Sequence, residues 1–232
     1  MQPIQEAIFI KRVNRFVAQV EVEGETREAH VPNSGRCREL LFPGNTVLLQ
    51  KAPEESKRKT PYTVILAKHH EVWVCLVSVW ANVLAKEAAT KGLLPELAGF
   101  DRWRPEYTWG SSRFDYLLES EDKRCLVEVK GVTLVNEAVG RALFPDAPTA
   151  RGARHLQELI RAVQEGLQAA VVFVVQQEDA NSISPNWEMD AAFSQALVEA
   201  EAAGVSMLGL TCSVSKEGIF PLKAVPVRLA KA

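Results

Sequence analysis

The hydrophobic pattern of the chain changes near residue 80, and this change limits the folds that the chain can adopt. Before that point, short apolar runs alternate with turn residues, and no long helical period occurs. The segment FVAQVEVEGETREAHV (16–31) alternates, turns at Glu-Gly and alternates again, which predicts a hairpin. Further strands are predicted at TVLLQ (46–50) and twice within 60–78. Several short strands at this spacing favour a small β-barrel or sandwich.

Beyond residue 80, helical and extended patterns alternate. The segment 80–94 has apolar residues at helical spacing and a glycine, Gly92, suited to ending a helix. Strands and helices then follow in turn: strands at 113–120 and 123–135, a helix at 149–166, a strand at 168–176, a helix at 189–204 and a strand at 205–215. This order predicts a mixed or parallel sheet flanked by helices. We therefore predict an α/β (α+β) protein with two domains, 1–80 and 81–232.

Composition narrows the class of protein. A length of 232 residues with 47% hydrophobic content is enough for an ordinary globular core. The net charge of -2 provides no overall attraction to DNA, so any nucleic-acid site must be a local basic patch. The four cysteines have no zinc-type spacing, and the longest apolar stretch is too short to span a bilayer. We expect a cytoplasmic protein with reduced thiols and no membrane partner.

Two carboxylates and a lysine stand within otherwise apolar strands of the second half. Asp115 lies in RFDYLLE, while Glu128 and Lys130 lie in CLVEVKG. Side chains of a strand repeat every two residues, so Glu128 and Lys130 share a face. Burying such charges is costly unless they are paired or bound to a metal. The pattern indicates a divalent-metal site facing a nucleic-acid phosphate, with Lys130 orienting water or binding phosphate.

Other interpretations of these residues stay open. A Glu-x-Lys pair on a strand is common and is usually a solvated face or a modest ion pair. Glu87, on the preceding helix, is a candidate for a further metal carboxylate, but it is equally well explained as an exposed helix charge.

Several segments resemble the sugar fermentation stimulation protein A family. They cover nearly the whole chain, and the two most specific are HVPNSGRCREL (30–40) and FPDAPTARGARHLQEL (144–159). The resemblance implies an N-terminal OB-like barrel joined to a C-terminal PD-(D/E)XK nuclease-like domain, DNA binding, and an influence on sugar utilisation in bacteria. It places the nuclease-like motif at Asp115, Glu128 and Lys130 and implies Mg²⁺ or Mn²⁺ as the cofactor.

The helix after FPDAPT carries the remaining candidates of the C-terminal half. Thr149 is suited to capping it, and Asp146 to bracing the turn before it. Arg151, Arg154 and His155 share one helical face, which predicts phosphate contact by the arginines and a catalytic role for His155 in proton transfer or leaving-group stabilisation. The alternative is an exposed polar face. Gln176, at the end of a buried strand, is a candidate for contact with a base or phosphate, or simply a polar strand end.

The N-terminal half carries a basic group with few aromatic residues, so phosphate contact is better supported than base stacking. The turn PNSGR is suited to cradling a phosphate through its backbone N–H groups. The candidate nucleic-acid contacts of this half are Arg12, Arg15, Asn33, Ser34, Arg36 and Arg38.

The sequence leaves three functions open. The first is a DNA-binding, metal-dependent phosphodiesterase, acting on double-stranded DNA, single-stranded DNA or RNA. The second is a DNA-binding regulator of sugar utilisation without enzymatic activity. The third is a barrel module that binds a small anionic ligand or a protein partner.

Overall fold

The N-terminal strands form an antiparallel sheet that closes into a barrel. The computed structural model describes residues 4–53, 55–56 and 58–231, so the outermost residues of both predicted domains lie outside it. The strands of this sheet are β1 (Ile4–Asn14), β2 (Val17–Val22), β3 (Glu25–His30), β4 (Thr46–Lys51), β5 (Tyr62–His69) and β6 (Val72–Cys75). Parallel pairing of β3 with β5 closes β1–β5 into a five-stranded barrel, and β6 extends β5. The predicted OB-like barrel is confirmed.

Alternation along the strands fills the barrel. Phe9, Val20 and Leu49 are at most 1% exposed and belong to one apolar cluster with residues of the other strands. Burial of each such side chain contributes about 1.5–3 kcal/mol. The predicted hairpin is β2 and β3, which pair from Val17–His30 to Val22–Glu25.

The C-terminal region is a mixed sheet with helices on both faces, as predicted. Its helices are α1 (Trp80–Thr90), α2 (Ala150–Gln164) and α3 (Ala191–Ala202). Its strands are β7 (Arg102–Trp109), β8 (Ser112–Glu119), β9 (Arg124–Val132), β10 (Val135–Asn136), β11 (Arg141–Phe144), β12 (Gln168–Val175), β13 (Ser182–Pro185), β14 (Ser206–Ser215) and β15 (Gly218–Val225). The main sheet has the order β15-β14-β12-β9-β8-β7, with β9, β12 and β14 parallel; β10, β11 and β13 form a small second sheet.

Strand β12 separates two apolar layers because its side chains point alternately to the two faces of the sheet. Phe173 packs in the cluster that contains Leu156 of α2 and Phe193 of α3, whereas Val172 packs in the cluster that contains Leu84 of α1. The sheet is therefore covered on both faces, as expected for buried parallel strands.

Three strands bury few of their side chains. Strands β1, β7 and β15 are largely exposed, and β7 and β15 form the two edges of the main sheet. Pro105 and Pro221 lie within these edge strands, where a missing N–H donor is tolerated. Separately, none of the helices in the described ranges is long and apolar enough to cross a membrane.

Burial protects all four cysteines from reaction. Burial raises the pKa of each thiol, Cys37, Cys75, Cys125 and Cys212, to about 12. The thiolate is the reactive form, so a rise of about three units lowers its population at pH 8 by roughly 1000-fold.

We therefore expect the folded protein to react very slowly with a thiol reagent such as DTNB at pH 8, and the protein in guanidinium chloride to release four equivalents. Absorbance of the released thiolate measures both rates. Rapid labelling of a cysteine in the folded protein would contradict the tight packing around that residue.

Candidate metal centre and nucleic-acid interface

Asp115 lies where strands β8 and β9 separate. The pairing of these antiparallel strands runs from Glu119–Arg124 to Tyr116–Val127. Just beyond that point, Asp115 Oδ2 accepts a hydrogen bond from the backbone N–H of Val129 at 2.8 Å, while Oδ1 accepts one from Asn82 Nδ2 at 2.7 Å. The carboxylate therefore occupies the gap between the strands and is anchored from both α1 and β9.

Glu128 is the centre of a buried group of charged and polar side chains. Its Oε1 accepts hydrogen bonds from Lys130 Nζ at 2.6 Å and from His155 Nδ1 at 2.8 Å. The Glu128 and His155 side chains are 6% and 4% exposed. Strand alternation places Lys130 beside Glu128, as predicted, and α2 lays His155 across them. Both bonds reach the same oxygen, so Oε2 is free of these two contacts.

The contacts of His155 define which nitrogen carries its proton. An arginine Nε–H only donates, so His155 Nε2 must accept the bond from Arg151 Nε at 3.3 Å. The carboxylate of Glu128 accepts, so Nδ1 must donate. A neutral imidazole with its proton on Nδ1 meets both requirements. His155 therefore connects Arg151 to Glu128 through hydrogen bonds at its two ring nitrogens and holds the Glu128 carboxylate in place.

The two carboxyl groups respond differently to their surroundings. Burial raises the pKa of Asp115, and the neighbouring charge of Glu128 raises it further, against the hydrogen bonds from Val129 and Asn82. Burial also opposes the charge on Glu128, but Lys130 and His155 together bring the pKa of Glu128 below its ordinary value. Glu128 is thus the stabilised anion of the pair, and Asp115 is the carboxyl group that a further cation would help to ionise.

Helix α2 is positioned by its first turn. Thr149 Oγ1 accepts a hydrogen bond from the Gly152 N–H at 3.0 Å, and Asp190 Oδ2 accepts one from the Thr149 N–H at 2.8 Å. The predicted cap is thus present and is itself held by the residue that caps α3. Arg151 and Arg154 are exposed at the start of the helix. They point basic groups toward solvent beside the buried group around Glu128.

The PNSGR turn is held together by Arg12. Its guanidinium donates to the carbonyl oxygens of Arg15, Asn33, Gly35 and Arg36 at 2.6–2.9 Å. Arg12 is therefore an internal clamp of the loop, whereas the prediction placed it among the nucleic-acid contacts. Asn33 closes the turn, since its Oδ1 accepts a hydrogen bond from the Gly35 N–H at 2.8 Å.

The clamp leaves other predicted residues of the turn facing solvent. Ser34, Arg36 and Arg38 are exposed. Arg15 donates to the Ser34 carbonyl at 3.3 Å, and its guanidinium lies 5.6 Å from the ring centroid of Phe16. Among the described residues, neither Arg36 nor Arg38 forms an ion pair. Their charges are available to a phosphate.

Glu87 and Gln176 do not lie where the predicted site requires them. Glu87 pairs with Lys91 at 2.7 Å, and its charge acts on the Cys212 thiol rather than on Asp115. The polar side chain that α1 does bring to Asp115 is Asn82, which was not among the predicted site residues. The sequence feature that could have identified this contact is an amide side chain near the start of α1. Gln176 is completely buried, so it does not face a nucleic acid.

Gln176 joins the barrel to the main sheet. Its backbone oxygen accepts from the Cys75 N–H at 3.0 Å, its N–H donates to the Val132 oxygen at 2.9 Å, and its side-chain amide donates to the Val77 oxygen at 3.1 Å. A Cβ at Gly131 would stand 2.8 Å from Gln176 Oε1. Glycine at that position is therefore required by the buried amide.

Asp146 joins the same two parts of the molecule near the site. Its Oδ2 lies 3.5 Å from the Cys37 backbone N and would overlap a Cβ at Gly35. Asp146 therefore braces the PNSGR turn of the barrel against the segment that leads into α2, which extends the bracing role predicted for it.

The fold and the site together define a class of protein: an OB barrel joined to a mixed sheet with helices on both faces, with two carboxyl groups and a lysine where two strands separate. Known families agree with this class. The SfsA N-terminal OB domain matches residues 10–76, and the Sugar fermentation stimulation protein RE domain matches residues 79–218.

Relatives cover nearly the whole chain. Sugar fermentation stimulation protein homologs from Desulforamulus reducens and Methanothermobacter thermautotrophicus are 46% and 45% identical over 97% and 95% of this chain and 92% of their own length. A solved structure of SfsA from Pyrococcus furiosus, in complex with Ca²⁺, superposes with a TM-score of 0.87 at 30% identity and covers 98% of both chains. The chain belongs to the sugar fermentation stimulation protein family.

The role of Gln176 can be tested by stability. Gln176→Ala removes a buried hydrogen bond and should lower the free energy of unfolding by about 1–3 kcal/mol. Gly131→Ala should cost about 1–3 kcal/mol by overpacking, and less in the Gln176→Ala background. Urea denaturation measures each value.

Gln168→Ala is the matched control because Gln168 is an exposed glutamine at the start of the same strand. This control should change stability by no more than about 0.5 kcal/mol. If the losses of unfolding free energy in Gly131→Ala and Gln176→Ala add fully in the double variant, the Gln176 amide is not what requires glycine at position 131.

Proposed function

We propose that this protein binds DNA and cleaves phosphodiester bonds with a divalent metal ion at Asp115 and Glu128. The observation that carries the proposal is the convergence of Asp115, Glu128 and Lys130 at the point where β8 and β9 separate. A buried carboxyl group, a half-buried one and an ammonium beside exposed arginines fit a phosphodiester better than they fit an apolar ligand. We also propose that the first domain ends at residue 80 and the second begins at residue 81. The barrel of the first domain contributes contacts to DNA.

The donor set fits a hard divalent cation. Asp115 and Glu128 offer carboxylate oxygens, which are the ligands that Mg²⁺ and Mn²⁺ prefer. Burial and the neighbouring charge of Glu128 raise the pKa of Asp115, and a cation bound between the two carboxyl groups would offset both effects. The family relative from Pyrococcus furiosus was solved with Ca²⁺, another oxygen-preferring ion. When bound, the ion supplies activation of a water molecule and neutralises charge that develops on the phosphate.

The neighbouring side chains have separable roles. Lys130, 16% exposed and paired with Glu128, orients the attacking water or contacts the phosphate oxygen. His155 positions Glu128, because both of its ring nitrogens are engaged within the protein. This replaces the proton-transfer role that the sequence suggested for it. Arg151 supports His155 through Nε and contacts phosphate through the rest of its guanidinium.

DNA contact is shared between the barrel turn and the start of α2. The exposed arginines Arg36, Arg38, Arg151 and Arg154 concentrate positive charge that a net-negative chain does not offer overall. Arg15, Asn33 and Ser34 complete the barrel side of this surface. Such contacts reach the phosphate backbone and do not discriminate double-stranded DNA from single strands or RNA.

A second candidate function keeps the DNA surface without the chemistry. In a DNA-binding regulator linked to sugar fermentation, the carboxylate group would stabilise the fold. The charge balance around Glu128 supports this alternative, because Lys130 and His155 already satisfy the buried anion without a metal ion.

The metal role is tested by titration and cleavage together. Asp115→Asn and Glu128→Gln should lower Mn²⁺ affinity by more than about tenfold, because each replaces a charged ligand by a neutral one of similar shape. Lys130→Ala should retain Mn²⁺ and lose about 10²-fold or more in cleavage rate. Calorimetry measures binding, and single- and double-stranded DNA with Mn²⁺ or EDTA measures cleavage.

Lys223→Ala, an exposed lysine on the edge strand β15, is the control for Lys130 and should cleave like the parent. Unchanged Mn²⁺ binding by both carboxylate variants would remove these residues from the metal site. Metal binding without cleavage of any nucleic acid would favour the non-enzymatic regulator.

The DNA surface is tested by salt dependence. Arg36→Ala/Arg38→Ala should weaken binding to unrelated sequences about equally. It should also flatten the log-log salt slope by roughly one unit for each duplex phosphate that the variant no longer neutralises. Fluorescence anisotropy across a salt series in EDTA measures both effects. Asp115→Ala should bind as well as the parent or better, because it removes a negative charge.

Arg102→Ala/Arg124→Ala removes two exposed arginines from the opposite end of the main sheet and serves as the matched control. It should keep the parent slope. If the Arg36/Arg38 variant also keeps the parent slope and affinity, the PNSGR turn is outside the DNA footprint, and only the start of α2 remains.

A further inference from the structure

Two histidines of the barrel meet a glutamate of the C-terminal region away from the site described above. His69 Nδ1 lies 2.8 Å from Glu137 Oε1, and His70 Nε2 lies 3.5 Å from Glu137 Oε2. One ligand atom from each of the three residues lies within 4.8 Å of the others. His69 ends β5, whereas Glu137 begins a short 3-10 helix, Glu137–Val139, that follows β10. The three side chains therefore form a cluster between the barrel and the C-terminal region.

The backbone turns unusually to bring the two histidines together. Consecutive residues of a strand point to opposite faces, so neighbouring histidines normally diverge. His70 instead adopts φ of +49° in the turn between β5 and β6, a left-handed conformation that few residues other than glycine adopt. The two rings consequently lie 4.8 Å apart between centroids, tilted by 60°. His70, whose side chain can bind a metal, therefore occupies a position where glycine would be the least strained residue.

The chemistry of this cluster differs from that of Asp115 and Glu128. Two imidazoles and one carboxylate suit borderline divalent ions such as Zn²⁺, Ni²⁺ and Co²⁺, whereas an all-oxygen set suits Mg²⁺ and Mn²⁺. His69 is 16% exposed and anchors the cluster, while His70 is 72% exposed and leaves access from solvent. Three protein ligands with an open position form a common zinc arrangement.

We propose that His69, His70 and Glu137 bind Zn²⁺ or a chemically similar divalent ion, and that the ion fastens the barrel to the C-terminal region. The ion would join the β5–β6 turn to a segment far along the chain. Bound ion would therefore stabilise the docked arrangement of the two parts, independently of whether the Asp115 site cleaves DNA.

Zinc titration of the full chain tests the proposal. Protein treated with EDTA and then freed of it is titrated with Zn²⁺ in the calorimeter, with Mg²⁺ in excess. His70→Asn removes the imidazole yet retains a residue that tolerates the left-handed conformation, and Glu137→Gln retains the shape without the charge. Each should bind one Zn²⁺ fewer per chain than the parent. Zn²⁺ should also raise the thermal midpoint of the parent but not of these variants.

Two controls separate this cluster from other histidine or carboxylate sites. His30→Asn alters a histidine that contacts Phe16 instead, and it should bind Zn²⁺ like the parent. Asp115→Asn should retain the Zn²⁺ that His70→Asn fails to bind. Equal Zn²⁺ stoichiometry and affinity in the parent, His70→Asn and Glu137→Gln would overturn the proposal. Zn²⁺ binding that is abolished in Asp115→Asn but kept in His70→Asn would also overturn it, because the ion would then occupy the carboxylate site.

Discussion

The buried carboxylate of Glu128 is the constraint around which the C-terminal region is arranged. An isolated buried anion is severely unfavourable, and removing one partner of a buried pair costs about 3–5 kcal/mol. Glu128 is tolerated because Lys130 reaches it along the same strand and His155 reaches it from α2. Those contacts fix where α2 can lie on the sheet, and Arg151 continues the arrangement to the surface. The apolar packing of Leu156 and Leu159 then stabilises a helix whose rotation is already determined by His155.

Separation of β8 from β9 brings a second carboxyl group, Asp115, to Glu128. Paired strands satisfy their own N–H groups, so a side chain between them normally has no backbone donor to bind. Here the N–H of Val129 is bound by Asp115 instead. The second carboxyl group is thereby fixed close enough to Glu128 for the charge of Glu128 to raise the pKa of Asp115. The pKa of Glu128 is thus lowered and that of Asp115 raised, so the two neighbouring carboxyl groups differ in how readily they ionise.

The sequence predicts those parts of the site whose geometry follows from the period of a strand or a helix. Alternation placed Lys130 beside Glu128, and helical spacing placed Arg151 and His155 on one face. Roles that depend on partners far along the chain could not be predicted, because residue type does not specify them. Arg12 and Arg36 are both arginines next to turns, yet only Arg12 is surrounded by carbonyl oxygens. Gln176 was predicted as a ligand contact because it is a polar residue at the end of a buried strand. Its burial against the barrel depends on residues far along the chain, which the sequence pattern does not specify. The edge strands β7 and β15 were not predicted, because each is mostly exposed or half-buried and contains a proline.

A continuous series of contacts links the proposed DNA surface to the carboxylates. Arg12 fixes the PNSGR turn, and Asp146 holds that turn against the segment before α2. Thr149 then caps α2, which carries Arg151 and His155 to Glu128. The contacts made by Arg12, Thr149 and His155 are 2.7–3.0 Å long, whereas that between Asp146 and Cys37 is longer, at 3.5 Å. The proposed phosphate contacts at Arg36 and Arg38 therefore lie on a turn that contacts the same segment of chain that leads into α2. This arrangement explains why buried polar residues, rather than further exposed charges, occupy the junction between the barrel and the main sheet.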